Sequence, residues 1–197
     1  PSCGDESLVI GAAGKVFEDK GVDLQPMKSM FFGQRYESSD VEQFLAENAA
    51  GYLVERVEDM EKRIAQLLAD FQNVARFKGA GEWGARSLCN RAVLGNASEL
   101  RTFYEINDAI KRRDFWMPFA PTIMDKWAEK YICDWETVER RAYNSTKYMI
   151  VTFDSTELAK KHLRAAIHQR DYTLRPQVVA REDSPDLYRL LEYFEDL

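Results

Sequence analysis

The stretch GEWGARSLCNRAVL, from Gly81 to Leu94, places two arginines, an asparagine and two glycines in a segment that otherwise resembles a buried one. Arginine and asparagine side chains are costly to bury unless a partner pairs with them. Guanidinium groups bind phosphate or carboxylate bidentately, so arginines beside glycine-rich turns suit an anionic ligand. The stretch therefore predicts an anion-binding site at a junction between secondary-structure elements. The alternative is that these arginines form surface ion pairs with the many Asp and Glu residues.

The sequence on either side of this stretch predicts alternating helices and strands. Upstream, residues 53–72 have apolar residues at helical spacing and predict one amphipathic helix, and VARF, 74–77, predicts a short buried strand. Downstream, Asn96 and Glu99 have the spacing of a capping box and predict a helix through residue 113. Further helices are predicted from about Leu8 and in 38–49, 125–132, 154–167 and 184–194. Further strands are predicted in 147–153 and 174–180. A loop is predicted in 22–36 and an extended segment in 115–124. This alternation predicts an α/β or α+β fold.

The length of 197 residues fits one large domain or one domain with an appendage, and a composition of 45% hydrophobic and 12% aromatic residues is that of a globular protein. A net charge of −6 and the lack of a dominant basic cluster argue against binding to nucleic acid or to a membrane surface. Three cysteines without a C-x-x-C pair favour a reducing compartment, so we expect a cytoplasmic protein. No apolar run approaches the roughly 20 residues of a membrane span, and no signal peptide is visible.

The two ends of the sequence predict that the chain is a piece of a longer protein. It begins at Pro1 rather than methionine, and it ends at EYFEDL, within an amphipathic pattern.

Three clusters of polar residues fall at predicted element junctions rather than on solvated faces. Cationic side chains next to glycines or rigid turns suit a phosphate or acyl-phosphate ligand. A single histidine is more often an ordinary core or surface residue than a catalytic one, and each cluster taken alone is compatible with surface ion pairs. The chemistry of these residues alone predicts only an anion-binding α/β domain. The clusters are Arg86, Asn90 and Arg91; Lys111, Arg112 and Arg113; and His168, Asp171, Thr173, Arg175 and Gln177.

Four segments resemble the motifs of one family, the ATP-dependent O-carbamoyltransferases, which include nodulation-factor and antibiotic-tailoring enzymes. EWGARSLCNRAVL resembles the family's EFGPRALGNRSIL signature, and NDAIKRRDFWMPFAPTIM, 107–124, resembles N-x-x-x-K-x-R-E-x-F-R-P-F-A-P-S-V-L. HQRDYTLRPQVV, 168–179, is similar to H-V-D-G-T-A-R-x-Q-x-V, and PSCGDESLVIGAA, 1–13, is similar to P-x-x-G-D-x-G-x-x-x-G-A-A. The four motifs occur in the family's order from residue 1 to about residue 179.

The resemblance implies a two-domain enzyme. In the family an actin-like ATPase-fold domain precedes a YrdC-like domain, which contains a twisted mixed sheet flanked by helices. Residues 1–36 would then be the helical tail of the actin-like domain and a linker, and residues 37–197 the YrdC-like domain. That domain would be truncated at its end, because the family's downstream N-T-S-F-N segment is missing.

The resemblance also implies a reaction, substrates and partners. The YrdC-like domain would form carbamoyl-adenylate from ATP with Mg²⁺ and carbamoyl phosphate, and the actin-like domain would pass the carbamoyl group to a hydroxyl acceptor. The implied partners are these small-molecule substrates and the rest of the actin-like domain in cis, with a homodimer left open and with no nucleic acid or membrane. Iron or another divalent metal would belong to the actin-like domain.

The motifs assign roles to individual residues. The residues implied to be catalytic would neutralise phosphate charge or, for the histidine, shuttle a proton or orient a neighbour. The residues implied to bind substrate or nucleotide would hydrogen-bond the carbamoyl group or the phosphates. Asp5 matches the aspartate that lies near the metal of the actin-like domain. The catalytic set is Arg86, Lys111, Arg113 and His168, and the binding set is Asn90, Arg91, Asp171, Thr173, Arg175 and Gln177.

Among the positions that depart from the family pattern, Ala85 replaces a proline, Cys89 a glycine, Ala92 a serine and Met117 an arginine. Loss of an arginine or a hydroxyl from a phosphate site removes a charge-assisted hydrogen bond, worth about 1.5–3 kcal/mol. Two other functions therefore stay open. One is a non-catalytic nucleotide-binding or regulatory module, and the other is a tRNA-modifying activity of the threonylcarbamoyl-adenylate synthase type.

Overall fold

A computed structural model describes residues 4–25 and 27–197 and confirms a mixed fold of helices and short strands. Pro26 of the predicted loop and the first three residues of the N-terminal motif, including Cys3, lie outside the described residues. The helices are α1 (Leu8–Asp19), α2 (Ser38–Asn48), α3 (Met60–Ala69), α4 (Leu100–Ile106), α5 (Ala128–Tyr131), α6 (Trp135–Thr146), α7 (Glu157–His162) and α8 (Pro185–Glu195). The strands are β1 (Val74–Phe77), β2 (Arg91–Leu94), β3 (Thr122–Met124), β4 (Phe153–Asp154), β5 (Thr173–Leu174) and β6 (Gln177–Val179).

The strands form both parallel and antiparallel pairs. β1 and β2 are antiparallel with Phe77 opposite Arg91, and β4 and β5 are antiparallel with Phe153 opposite Leu174. β3 and β6 are parallel, with Thr122 beside Gln177. Within the described residues these are three separate two-stranded sheets, so the expected twisted mixed sheet is not continuous here.

The core consists of several clusters that hold the strand pairs against helices. Helix α8 packs on α3 through Leu190, Ile64 and Leu68, all buried. A larger cluster, which includes Ile123 and Val178, buries the β3–β6 pair. Complete burial of an aliphatic side chain of this size contributes about 1.5–3 kcal/mol, so these contacts fix the positions of the strands.

Local sequence signals locate several elements correctly. The helix predicted from Leu8 is confirmed, and α2 begins with a capping box between Glu37 and Asp40. The VARF strand is confirmed, although its buried residue is Arg76 while Phe77 is exposed. Helix α8 begins with Pro185 in its first turn, where the missing N–H of proline costs nothing.

Several predicted elements differ from the structure, and one observed helix was not predicted. Helix α4 begins only at Leu100, the helix predicted over 154–167 is shorter, and the strand predicted over 174–180 is divided into β5 and β6. The helix predicted over residues 53–72 begins only at Met60, because the Asp59 side chain accepts the N–H of Lys62 at 3.2 Å and caps it there. The strand predicted over residues 147–153 is wrong for most of its length, since Met149 has a φ of 53° and turns the chain. Helix α6 is absent from the sequence predictions, because its sequence is largely polar.

Candidate functional site

The loop between β1 and β2, which contains the arginine-rich stretch, is organised around the carboxylate of Glu82. One oxygen, Oε1, accepts the backbone N–H groups of Leu88, Asn90 and Arg91 at 2.9, 2.7 and 3.0 Å. The Ser87 hydroxyl also donates to it, at 3.2 Å. Burial alone would raise the pKa of the Glu82 carboxyl, but these backbone hydrogen bonds outweigh it and hold the pKa below its ordinary value. The side chain is therefore an anion that closes the loop.

The segment before α2 pairs with the start of this loop. The N–H of Gly33 donates to the carbonyl of Gly81 at 2.9 Å, and the N–H of Trp83 donates to the carbonyl of Met30 at 2.7 Å. A Cβ added at Gly33 would lie 2.9 Å from the Cα of Gly81, so glycine is needed for the close approach. The buried Met30 packs with Leu88 beneath the loop. The family resemblance places residues 30–34 in a linker. Their hydrogen bonds and packing show that they support the loop between β1 and β2.

Beside this loop lies a cavity of about 280 Å³. Two of the arginines singled out in the sequence, Arg86 and Arg175, line it together, although 89 positions separate them along the chain. An indole and a phenol ring give the cavity an apolar wall next to the guanidinium groups. Among its lining residues are Glu6, Trp83, Gly84, Arg86, Tyr148 and Arg175.

Three predicted site arginines lie close enough for their charges to interact. Burial lowers the pKa of Arg175 below its ordinary value, and the positive charges of Arg86 and Arg113 lower it further. Arginine stays protonated at neutral pH despite such a shift. The shift therefore indicates a region of concentrated positive potential that a bound anion would relieve.

Arg113 is placed by the side chain of Asn107. The Asn107 Oδ1 atom accepts the N–H of Arg113 at 3.0 Å, and its Nδ2 donates to the carbonyl of Arg113 at 2.9 Å. Arg112, between them, adopts a left-handed conformation with a φ of 49°, which ends the helical segment Asn107–Lys111. Lys111 and Arg113 are both exposed, so their charged groups reach solvent.

The other two predicted residues of the loop direct their donors inward. The Arg91 guanidinium donates to the carbonyls of Lys78 and Gly79 at 2.7 and 2.9 Å and lies 3.6 Å from the centre of the Phe77 ring. The Asn90 amide donates to the carbonyl of Ala80 at 2.9 Å. Both side chains stabilise the loop, and their donors are already engaged with backbone oxygens.

Cys89 occupies the position at which the family signature has glycine. Its φ of 74° is a backbone conformation that favours glycine, which explains the glycine of the signature. The thiol is buried, with Sγ 3.4 Å from the Thr122 hydroxyl and 3.3 Å from Oε1 of Gln177. Burial raises the pKa of this thiol, so it is an unreactive packing group. The predicted binding residue Gln177 is also buried and donates to the carbonyl of Leu88 at 3.3 Å.

Three residues of the third predicted cluster, His168, Asp171 and Thr173, form a compact turn just before Arg175. The Nδ1 atom of His168 lies 2.9 Å from Oδ1 of Asp171, and the same oxygen accepts the N–H and the hydroxyl of Thr173 at 3.0 and 2.9 Å. The backbone and side-chain hydrogen bonds from Thr173 lower the pKa of the Asp171 carboxyl. With Nδ1 directed to the carboxylate, Nε2 is the nitrogen available to a ligand.

The predicted metal residue, Asp5, is exposed in a short 3-10 helix at Asp5–Ser7. Within residues 4–25 and 27–197, no group of three or more His, Cys, Asp or Glu side chains is arranged to hold a metal ion. The described residues therefore do not fit a metal centre of their own.

Two residues that organise the site were missed as site residues in the sequence. Glu82 and Asn107 act on backbone groups rather than on a ligand, so their residue types carry no direct chemical signal. Only their positions gave a signal, because Glu82 and Asn107 are the first residues of two of the motifs quoted above.

None of the described helices combines the length and the apolar character needed to cross a membrane.

Comparison with known proteins gives a family and several distant relatives. A family model described as carbamoyltransferase C-terminus matches residues 65–197. An uncharacterized protein of Methanocaldococcus jannaschii is 28% identical over 100% of this chain and 32% of its own length. Nodulation protein NolNO of Sinorhizobium fredii is 25% identical over 98% of the chain and 28% of its own length. Nodulation protein U of Azorhizobium caulinodans is 28% identical over 68% of the chain and 22% of its own length. The chain thus spans about a third or less of the length of these relatives.

Proposed function

The chain belongs to the family of carbamoyltransferase C-terminal domains, and on that premise we propose that it binds ATP and carbamoyl phosphate and forms carbamoyl-adenylate. The observation that carries this proposal is that Arg86 and Arg175 line one cavity, with Arg113 close enough for its positive charge to lower the pKa of Arg175. In this proposal their positive charge binds the phosphate groups of the ligand.

The chemistry of adenylate formation suits such a site. Water first cleaves carbamoyl phosphate to carbamate and inorganic phosphate. A carbamate oxygen then bonds to the α-phosphorus of ATP, and the bond from that phosphorus to pyrophosphate breaks. Negative charge spreads over the phosphate oxygens during this step, and fixed cationic groups stabilise it without rearrangement. In this proposal Arg86 and Arg175 bind phosphate oxygens, and Trp83 and Tyr148 contribute an apolar wall. Mg²⁺ enters with the ATP phosphates.

The acceptor step is assigned to the rest of the longer protein. The resemblance places transfer to a hydroxyl group, and the metal near Asp5, in an actin-like domain that acts in cis. The described residues do not fit a metal centre of their own.

A second candidate is a module that binds the nucleotide without turnover. Arg91 and Asn90 direct their donors to backbone carbonyls, and Met117 stands where the family has an arginine. Fewer cationic groups are therefore available than the family signature provides.

Pyrophosphate release from ATP, with and without carbamoyl phosphate, distinguishes the two candidates. We expect release that depends on carbamoyl phosphate, and a loss of roughly tenfold or more in kcat/KM for Arg175→Ala, since hydrogen bonds to charged groups are worth about 1.5–3 kcal/mol. Arg63→Ala, at an exposed arginine of α3, is the matched control and should change nothing. The assay is run on this chain and on the full-length protein.

The outcomes separate cleanly. ATP binding in calorimetry without pyrophosphate release from either protein supports the binding module. If neither protein binds ATP and neither releases pyrophosphate, the nucleotide assignment is refuted.

A further inference from the structure

The carboxylate of Glu82 occupies an anion site made by the backbone. Three N–H groups, from Leu88, Asn90 and Arg91, converge on its Oε1 atom within 3.0 Å, together with the Ser87 hydroxyl. Converging backbone N–H groups of this kind form nests that bind phosphate in other proteins. Here the protein fills the nest with its own side chain, so the nest is not the phosphate site.

This carboxylate closes a loop whose middle faces the cavity. Residues 83–88 belong to no helix or strand, so their path depends on fixed ends. The start is held by the hydrogen bond from Trp83 to Met30, and the end by the hydrogen bond from Leu88 to Glu82. Between these two points lie Gly84 and Arg86, which line the cavity. The position of Arg86 therefore depends on the closure.

The closure leaves the arginine's charge intact. Glu82 accepts hydrogen bonds from N–H groups and a hydroxyl, and among the described residues it forms no ion pair with a guanidinium group. Arg86 is exposed and is repelled by the like charge of Arg175. Without a closed loop, this repulsion would move Arg86 away from the cavity.

We propose that Glu82 is a positioning residue: it fills the backbone nest so that Arg86 is held beside Arg175, ready to bind a phosphate group. This inference rests on the proposed function, because it assumes that the cavity binds phosphate. It assigns the glutamate of the EWGARSLCNRAVL stretch to the loop and Arg86 to the ligand.

The test removes the Glu82 carboxylate by mutation and supplies a small carboxylate, formate, from solution. Pyrophosphate is the probe, and its binding to this chain is measured by calorimetry at pH 7. Glu82→Ala should weaken binding at least tenfold, which corresponds to about 1.4 kcal/mol. Adding formate should then restore binding toward the wild-type value, because formate can occupy the emptied nest. Formamide, which has the same shape and no charge, should not restore it.

The wild type and a second variant supply the controls. In the wild type the nest is filled, so formate can only compete with pyrophosphate and weaken its binding. In Arg86→Ala binding is weak, and formate should not improve it. Glu82→Gln keeps an oxygen acceptor without the charge and should lose less affinity than Glu82→Ala, which keeps the test usable if the alanine variant does not fold.

The results that overturn the inference differ from those that overturn the proposed function. If the wild type binds pyrophosphate but the Glu82 variants bind it equally well, or if formate fails to restore binding to a folded Glu82→Ala protein, the positioning role is refuted. If the wild type does not bind pyrophosphate, the anion site is refuted and the role of Glu82 with it.

Discussion

Replacing the buried Glu61 by glutamine should destabilise the protein in a way that depends on pH. Glu61 is 2% exposed, and its two oxygens lie 2.6 Å from Nζ of Lys78 and 2.8 Å from a guanidinium nitrogen of Arg189. These contacts join α3 to α8 and to the end of β1. Glu61→Gln keeps the shape of the side chain and removes the negative charge between two cations.

The expected loss of stability depends on the contacts that Lys78 and Arg189 keep in the Glu61→Gln variant. Removing one partner of a buried ion pair costs about 3–5 kcal/mol when the other charge is left buried and unpaired. Here the Lys78 and Arg189 side chains are 39% and 48% exposed, and each keeps a second carboxylate, Asp186 at 2.9 Å and Asp59 at 3.8 Å. Solvent screening and these remaining partners reduce the cost, so we expect a loss of about 2 kcal/mol in the free energy of unfolding.

The pH dependence has a definite sign. Burial raises the pKa of the Glu61 carboxyl, but the hydrogen bonds from Lys78 and Arg189 outweigh it, and the pKa in the folded state is lower than the ordinary value of 4.5. A carboxyl with a depressed folded pKa contributes its full stability above the unfolded pKa and loses it as the pH falls through the folded pKa. The difference between wild type and Glu61→Gln should therefore be largest at neutral pH and shrink below pH 4.5.

Urea unfolding followed by circular dichroism measures this difference at pH 7, pH 5 and pH 4. The control is Glu58→Gln, at an exposed glutamate three residues away, which should stay within about 0.5 kcal/mol of wild type. A Glu61→Gln protein as stable as the control at pH 7, or a difference that grows as the pH falls, would refute the reasoning.

Two further variants test individual contacts of the site. Asn107→Ala removes both hydrogen bonds to the backbone of Arg113, so it should lower the free energy of unfolding by about 1–2 kcal/mol and weaken pyrophosphate binding in calorimetry; unchanged binding would contradict the placement of Arg113 by Asn107. Cys89→Gly should be at least as stable as Cys89→Ala in urea unfolding, because only glycine removes the strain of a φ of 74°, about 1–2 kcal/mol. An alanine variant clearly more stable than the glycine variant would contradict that reading of Cys89.

The part of the fold that the sequence predicts is the part set by local signals. α1, α2 and α8 follow from apolar spacing and from caps such as Pro185, which act within a few residues. The turn at Met149 gave no such signal, because KYMIVTF has the composition of a strand and the turn depends on tertiary packing. Similarly, the polar sequence of α6 hides a helix whose inward face is supplied by the scattered residues Trp135, Val138 and Tyr143.

The candidate site also has features that the sequence predicted and features that it could not predict. Charge and position at predicted element junctions identified Arg86, Arg113 and Arg175 as ligand-binding candidates, and the family resemblance assigned them roles. Their proximity could not be read from the sequence, because it requires the β-strand pairs to bring distant segments together. The inward direction of the Arg91 donors was also hidden, because backbone carbonyls such as that of Lys78 exist in every sequence and become acceptors only in the folded loop.

The contact between Gly33 and Gly81 has a practical consequence for dividing this chain. A shorter protein that began at residue 65, where the family match begins, would lack Met30, which covers Leu88 and Met149 and accepts the N–H of Trp83. The loop that presents Arg86 would then lose its anchor and expose apolar surface. A piece that preserves the intact loop must therefore retain residues 30–34, which lie upstream of residue 65, where the family match begins.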